Sequence, residues 1–168
     1  GSEMCIRDSL HTIPPIYDGN SKILILGSFP SVKSREVSFY YGHPQNRFWR
    51  VLAAVLGCAV PSSNEEKTAL LQSHNIALWD VIKSCDIVGS SDSSIKNVVP
   101  NDIGVILSSC GIRQIYSNGK TSEKLFNKYI KDTVGRDTVA LPSTSPANAS
   151  YNLERLTDSW SVIKNNIR

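Results

Sequence analysis

KILILGSFP, residues 22–30, decides the fold. Four aliphatic residues, Ile23 to Leu26, follow one another without polar alternation, between the turn Asp18-Gly19-Asn20 and Gly27. A short apolar run bounded by turn residues fits a strand covered on both faces, as in parallel sheets. Three more runs of this kind lie at 76–79, 112–116 and 138–141. Helical patterns separate them. Phe48, Val51, Leu52 and Val55 recur at helical spacing over 46–56, with Gly57 as the stop. Ser63 with Glu66 three residues on forms a capping-box pattern for a helix to His74. Further helices are expected from Pro100-Asn101-Asp102 to Ser109, over 121–130 and over 153–167. Alternating strands and helices predict an α/β chain: a three-layer α/β/α sandwich with a central four-stranded parallel sheet. Ligands in such folds sit beyond the carboxyl ends of the strands, where the loops after all four runs converge. Ile13-Pro14-Pro15-Ile16 reads as an extended arm and 84–94 as a loop.

The 168 residues suit one domain, with 40% hydrophobic and 20% charged residues. Gly1-Ser2 reads as a tag remnant and Glu3 to Ser9 (EMCIRDS) as an assembly artefact. The functional domain is therefore taken as 10–168. No apolar run reaches the ~18 residues of a membrane span, and no signal-peptide pattern occurs. A cytoplasmic, monomeric protein without a membrane partner is expected. Cys5, Cys58, Cys85 and Cys110 show no zinc-ligand spacing and read as reduced thiols. A net charge of +3 permits nucleic-acid binding without requiring it.

No Walker loop, GxGxxG, HExxH or GxSxG motif occurs, which removes the common phosphate, nicotinamide, zinc-protease and esterase chemistries. Two loops that directly follow strands remain, Gly27-Ser28-Phe29-Pro30-Ser31 and Leu141-Pro142-Ser143-Thr144-Ser145-Pro146. Between the first loop and the helix at 46–56 stand Phe39, Tyr40, Tyr41 and His43.

The stretch 27–49, GSFPSVKSREVSFYYGHPQNRFW, resembles motif 1 of the uracil-DNA glycosylase superfamily, closest to its hypoxanthine-DNA (deoxyinosine) glycosylase family. LPSTSPANAS at 141–150 resembles the motif 2 loop. The likeness continues through Leu78-Trp79-Asp80-Val81, Gly89 to Ile95 and Tyr116 to Lys120. The resemblance implies a base-excising DNA hydrolase that acts on DNA carrying a deaminated base, hypoxanthine first and uracil second, with no cofactor and no metal. A uracil- or mismatch-directed enzyme and a non-catalytic damage-binding domain are the alternatives.

A base-flipping enzyme needs a pocket and an aromatic platform for the extruded base. Phe39, Tyr40 and Tyr41 are candidates for the platform, Phe39 or Tyr40 foremost, and Gly27, Ser28, Phe29, His43 and Asn118 for the rest of the pocket. Hydroxyls and backbone N–H groups grip flanking phosphates, which points to Ser31, Ser143, Thr144 and Ser145, with Lys33, Arg35 and Arg47 as basic candidates. Asp92, Ser93 and Ser94 read as a DNA-facing or simply solvated loop. Phe29 and Leu141 occupy motif positions where relatives place polar catalytic groups. In the deoxyinosine-type family a downstream asparagine carries the catalytic role, and the matching residue is Asn46. Asn46 also stands where an N-cap is favoured, so capping and catalysis both remain open. Asn118 is either a turn residue or a reader of the base edge.

Overall fold

The structure, a computed structural model, describes residues 6–10, 13–30, 34, 39–88 and 96–168. Ser31, Lys33, Arg35 and Asp92 to Ser94 lie outside them. In chain order the elements are β1 (Ile6–Leu10), β2 (Ile23–Gly27), α1 (Phe48–Leu56), α2 (Asn64–Ser73), β3 (Ile76–Asp80), β4 (Ile82–Val88) and β5 (Lys96–Pro100). Then come α3 (Gly104–Ser109), β6 (Gln114–Asn118), α4 (Lys120–Tyr129), α5 (Lys131–Val134), β7 (Thr138–Leu141), α6 (Leu153–Trp160) and a 3₁₀ turn, Ser161–Asn165.

The central sheet has the strand order β3-β2-β6-β7, and all three pairings are parallel. The four apolar runs build it, as their lack of alternation predicts. β2 is buried at every position because helices cover both faces. On one face Ile23 and Ile25 pack with Phe48, Trp49, Val51, Leu52, Leu71, Leu156 and Trp160, from α1, α2 and α6. On the other, Leu24 and Leu26 pack with Ile103, Ile106, Phe126 and Ile130 around α3 and α4. Phe48 and Trp49 are buried, as their helical spacing predicts. This is the three-layer sandwich.

A second sheet, order β1-β4-β5 and antiparallel, departs from the sequence reading. Residues 84–88, read as loop, complete β4, and β1 includes residues 6–9, set aside in that reading. Ser84 and Asp86 pair across with Leu10 and Asp8, so pairing between largely polar segments, not an apolar run, defines these strands. The expected last helix also divides, closing at Trp160 into the 3₁₀ turn. The capping box forms with one change. Ser63 Oγ accepts from the Glu66 N–H at 3.0 Å, but the Glu66 carboxylate turns to the N–H and hydroxyl of Ser62.

Candidate active site

The carboxyl ends of the parallel strands form one level row. Gly27 pairs with Asp80, Leu26 with Ser117, and Asn118 with Leu141. Side chains alternate along a strand. Gly27, Asp80, Asn118 and Leu141 therefore share the face of Ile25, Leu78 and Tyr116, which belong to the core beneath α1 and α6. Asp80 is only 3% exposed, and Asn101 braces the bend that follows it. The Asn101 amide donates to the carbonyls of Asp80 (2.9 Å) and Ile82 (3.2 Å). Sequence reading included Asp80 in the likeness but gave it no role. A carboxylate ending an apolar strand, at the edge where ligands bind, was the available signal.

Gly27 lies so close to Asp80 that a Cβ there would run into the Asp80 carboxylate, and it would come within 3.0 Å of the Tyr41 hydroxyl. Only glycine leaves this space. Tyr41 reaches it from a left-handed backbone (φ 53°), a conformation uncommon for a bulky residue. Its ring stacks on Phe48 with centroids 4.1 Å apart. Its hydroxyl is buried beside the Asn118 amide. Burial, and then the charge of Asp80, push the Tyr41 phenol far above its ordinary pKa, while the neighbouring Asn118 amide opposes them. The hydroxyl therefore keeps its proton.

Tyr40 and Phe39 take other places. Tyr40 is 1% exposed, with its hydroxyl on the Pro14 carbonyl at 2.9 Å, so it anchors the proline arm within the core. Burial holds its proton as well. Phe39 is half-buried, stacked on Trp49 at 6.1 Å with Lys67 5.8 Å from its ring centroid. Of the three aromatics, Tyr41 is the one that reaches the strand ends. His43 is exposed, and its Nδ1 accepts from the Gln45 N–H within a turn. Ser28 is half-buried, its carbonyl tied to the Ile82 N–H at 3.0 Å. Phe29 packs against the core beneath α3 and α4, on the opposite side of the sheet from the row.

Asn46, Thr144 and Asn118 form a directed chain. The Asn118 amide donates to Thr144 Oγ1 at 3.0 Å, and Thr144 Oγ1 donates to Asn46 Oδ1 at 2.9 Å. The Thr144 N–H closes the pair by donating to Asn118 Oδ1 at 3.0 Å. Asn46 Oδ1 also accepts from the Phe48 N–H at 2.9 Å, satisfying one of the open donors at the start of α1. Arg47, not Asn46, is the N-cap of α1 and makes no side-chain cap bond. Asn46, one residue earlier, serves the fold with its oxygen, and no described residue claims Nδ2. Both Asn orientations follow from their backbone N–H donors, which require an oxygen opposite.

Thr144, expected at the duplex, is fully buried in the structure. It ties the loop together from within. Ser143 and Ser145 remain half-buried on that loop, each hydroxyl accepting from the N–H two residues on (3.1 and 3.2 Å). Their own hydroxyl protons stay available to an acceptor such as a phosphate oxygen. Arg47, read as a phosphate candidate, is instead spent on the loop. Its guanidinium donates to the carbonyls of Ser145 (2.8 Å), Asn148 (3.0 Å) and Tyr151. Trp160 Nε1 holds the Pro142 carbonyl at 2.9 Å. These bonds, beyond the two prolines, preorganise the loop.

Among the described residues, no three His, Cys, Asp or Glu side chains group as a metal site, and no helix is long and apolar enough to cross a membrane.

The chain is similar to known proteins. A protein of Methanosarcina barkeri named hypoxanthine DNA glycosylase is 36% identical over 137 residues, spanning 80% of this chain and 85% of its own. A second of that name, from Methanosarcina acetivorans, is 34% identical over 152 residues, spanning 89% and 94%. The solution NMR structure of a candidate uracil DNA glycosylase from Methanosarcina acetivorans superposes with a TM-score of 0.77 at 33% identity, covering 90% of this chain and 94% of that one. The family model described as the uracil DNA glycosylase superfamily matches residues 14–165, and the chain belongs to that superfamily.

Proposed function

We propose that this protein is a monofunctional DNA glycosylase that removes a deaminated base, hypoxanthine first and uracil second, as the opening step of base excision repair. The relatives named for hypoxanthine support the substrate class. The observation that carries the reading is the Asn46 amide, whose oxygen is held by Phe48 N–H and Thr144 Oγ1 while its NH₂ stays unclaimed by any described residue. A donor on so rigid a mount stabilises a substrate group by position rather than by proton transfer. Water supplies the nucleophile. Its oxygen bonds to C1′ of the sugar, the C1′–N bond breaks, the electron pair goes to the base, and the base leaves with a proton. A purine can take that proton on its imidazole ring and depart neutral, so the apolar Leu141 in motif 2 is tolerable. Neither loop, 27–31 or 141–146, holds a lysine for a Schiff base, so a lyase step is not expected. The reading includes a cytoplasmic monomer that acts without a metal or cofactor on residues 10–168.

The test is incubation of duplexes carrying one inosine or one uracil, followed by alkali. Strand breaks at inosine that appear only after alkali are expected. Selective binding without any alkali-labile site would identify a damage-binding domain instead.

A further inference from the structure

Of the basic candidates for the DNA backbone, Arg47 is turned inward to the loop after β7. A different arginine stands exposed just beyond that loop. Arg155 lies in the first turn of α6, and the Asn152 side chain accepts from its backbone N–H at 2.8 Å, which fixes the point from which it projects. Its guanidinium lies over the Tyr151 ring, 4.3 Å from the centroid, and Nη1 donates to the Ser150 carbonyl at 2.7 Å. Arg47 grips the next carbonyl, that of Tyr151. The two arginines differ in what they have left. Arg47 is half-buried and donates to three carbonyls. Arg155 is exposed, uses one N–H on a carbonyl, and pairs with no described acidic side chain, although Glu154 and Asp158 share its helix. An exposed arginine ordinarily loses side-chain entropy when it binds. This one is already held by a ring and a carbonyl, so less remains to be lost. Its free N–H groups on a fixed plane match two oxygens of a phosphate. The Ser143 and Ser145 hydroxyls, whose protons remain available to an acceptor, stand on the same loop.

Resting on the glycosylase reading, we propose that Arg155, stacked on Tyr151, is a phosphate anchor: its guanidinium binds a backbone phosphate of the duplex beside the extruded nucleotide and sets the register of the loop on the DNA. Phosphate contacts position a protein but carry no sequence information. Arg155 therefore adds affinity for damaged and undamaged duplex alike.

Fluorescence anisotropy of the full chain with inosine-bearing and undamaged duplexes, each over a range of salt, tests this for wild type, Arg155→Met and Arg155→Lys. Arg155→Met keeps the stem and removes the charge. The log-log salt slope should shrink by about 0.9, the share of one phosphate, and affinity should fall to a similar extent on both duplexes. Arg155→Lys keeps the charge and should keep the slope. An unchanged slope in Arg155→Met overturns the anchor and leaves Arg155 a staple of the loop, whatever happens to the thermal midpoint. A slope lost equally in Arg155→Lys overturns it too, because loop geometry rather than charge would then carry the effect. If the wild type excises neither inosine nor uracil while the slope still falls in Arg155→Met, the anchor stands and the glycosylase reading is the one that sinks.

Discussion

Thr144 and Asn46 stand 98 positions apart and share a hydrogen bond, the Thr144 hydroxyl donating to Asn46 Oδ1 at 2.9 Å. Through it the loop after β7 sets the orientation of an amide at the start of α1. Asn118, at the end of β6, fixes the hydroxyl in turn. Three segments distant in sequence thereby hold one NH₂ group.

Asn46→Asp separates the structural bonds of that residue from the catalytic role proposed for it. Asp keeps an acceptor for the Phe48 N–H, but it has no N–H to donate. Thermal stability should stay near wild type while single-turnover excision of hypoxanthine drops about 100- to 1,000-fold. Asn46→Ala should show a similar rate loss and also lose about 1 kcal/mol of stability, because it removes the acceptor of the Phe48 N–H and the Thr144 hydroxyl. Normal excision by the Asn46→Asp variant would leave Asn46 a structural role alone.

Thr144→Val keeps the side-chain shape and removes the hydroxyl. Asn46 Oδ1 then loses one of its donors and one Asn118 N–H loses its acceptor, both in a half-buried setting. Urea unfolding should show a loss of about 1–3 kcal/mol. Duplex affinity, followed by fluorescence anisotropy, should hold, because Thr144 does not reach the surface. Ser145→Glu should do the opposite, sparing stability and weakening binding through repulsion of phosphate. If Thr144→Val weakened binding without destabilising the fold, the assignment of Thr144 to the interior would be wrong.

Arg47→Met withdraws a guanidinium from three loop carbonyls. Hydrogen bonds to charged groups contribute about 1.5–3 kcal/mol each, so stability should fall by at least that much. The salt dependence of DNA binding discriminates further. Each neutralised phosphate adds about 0.9 to the log-log slope. Arg47→Met should leave the slope unchanged, and a decrease of that size would return Arg47 to the phosphate backbone.

Much of the fold was legible because β2, β3, β6 and β7 are aliphatic runs with no polar face, and such runs have to be covered on both sides. Strand ends shifted by a residue or two. Asn118, read as part of an exit turn, is the last residue of β6, since hydrogen bonding to a neighbouring strand, not residue type, ends a strand. The β1-β4-β5 sheet was illegible for the same reason. Lys83, Ser84 and Asp86 in β4 show no apolar periodicity, and what makes them strand is the pairing with β1 and β5.

By itself, the sequence determined the layered architecture, the two loops after the first and last parallel strands, and the prominence of Asn46. Hydrophobic periodicity and motif order are local properties, so they survive without a structure. Only tertiary structure decided which polar atoms are already spent. Arg47 turned inward to carbonyls and Thr144 became an interior tie, while Tyr41 rather than Tyr40 came to the strand ends. Asp80 met Gly27 because strand register sets β3 and β2 level. Each outcome depends on distances between segments tens of residues apart, and no local pattern encodes these. Hydrogen-bond satisfaction is a property of the closed fold, and in this protein it separates the groups left to a substrate from those that hold the scaffold.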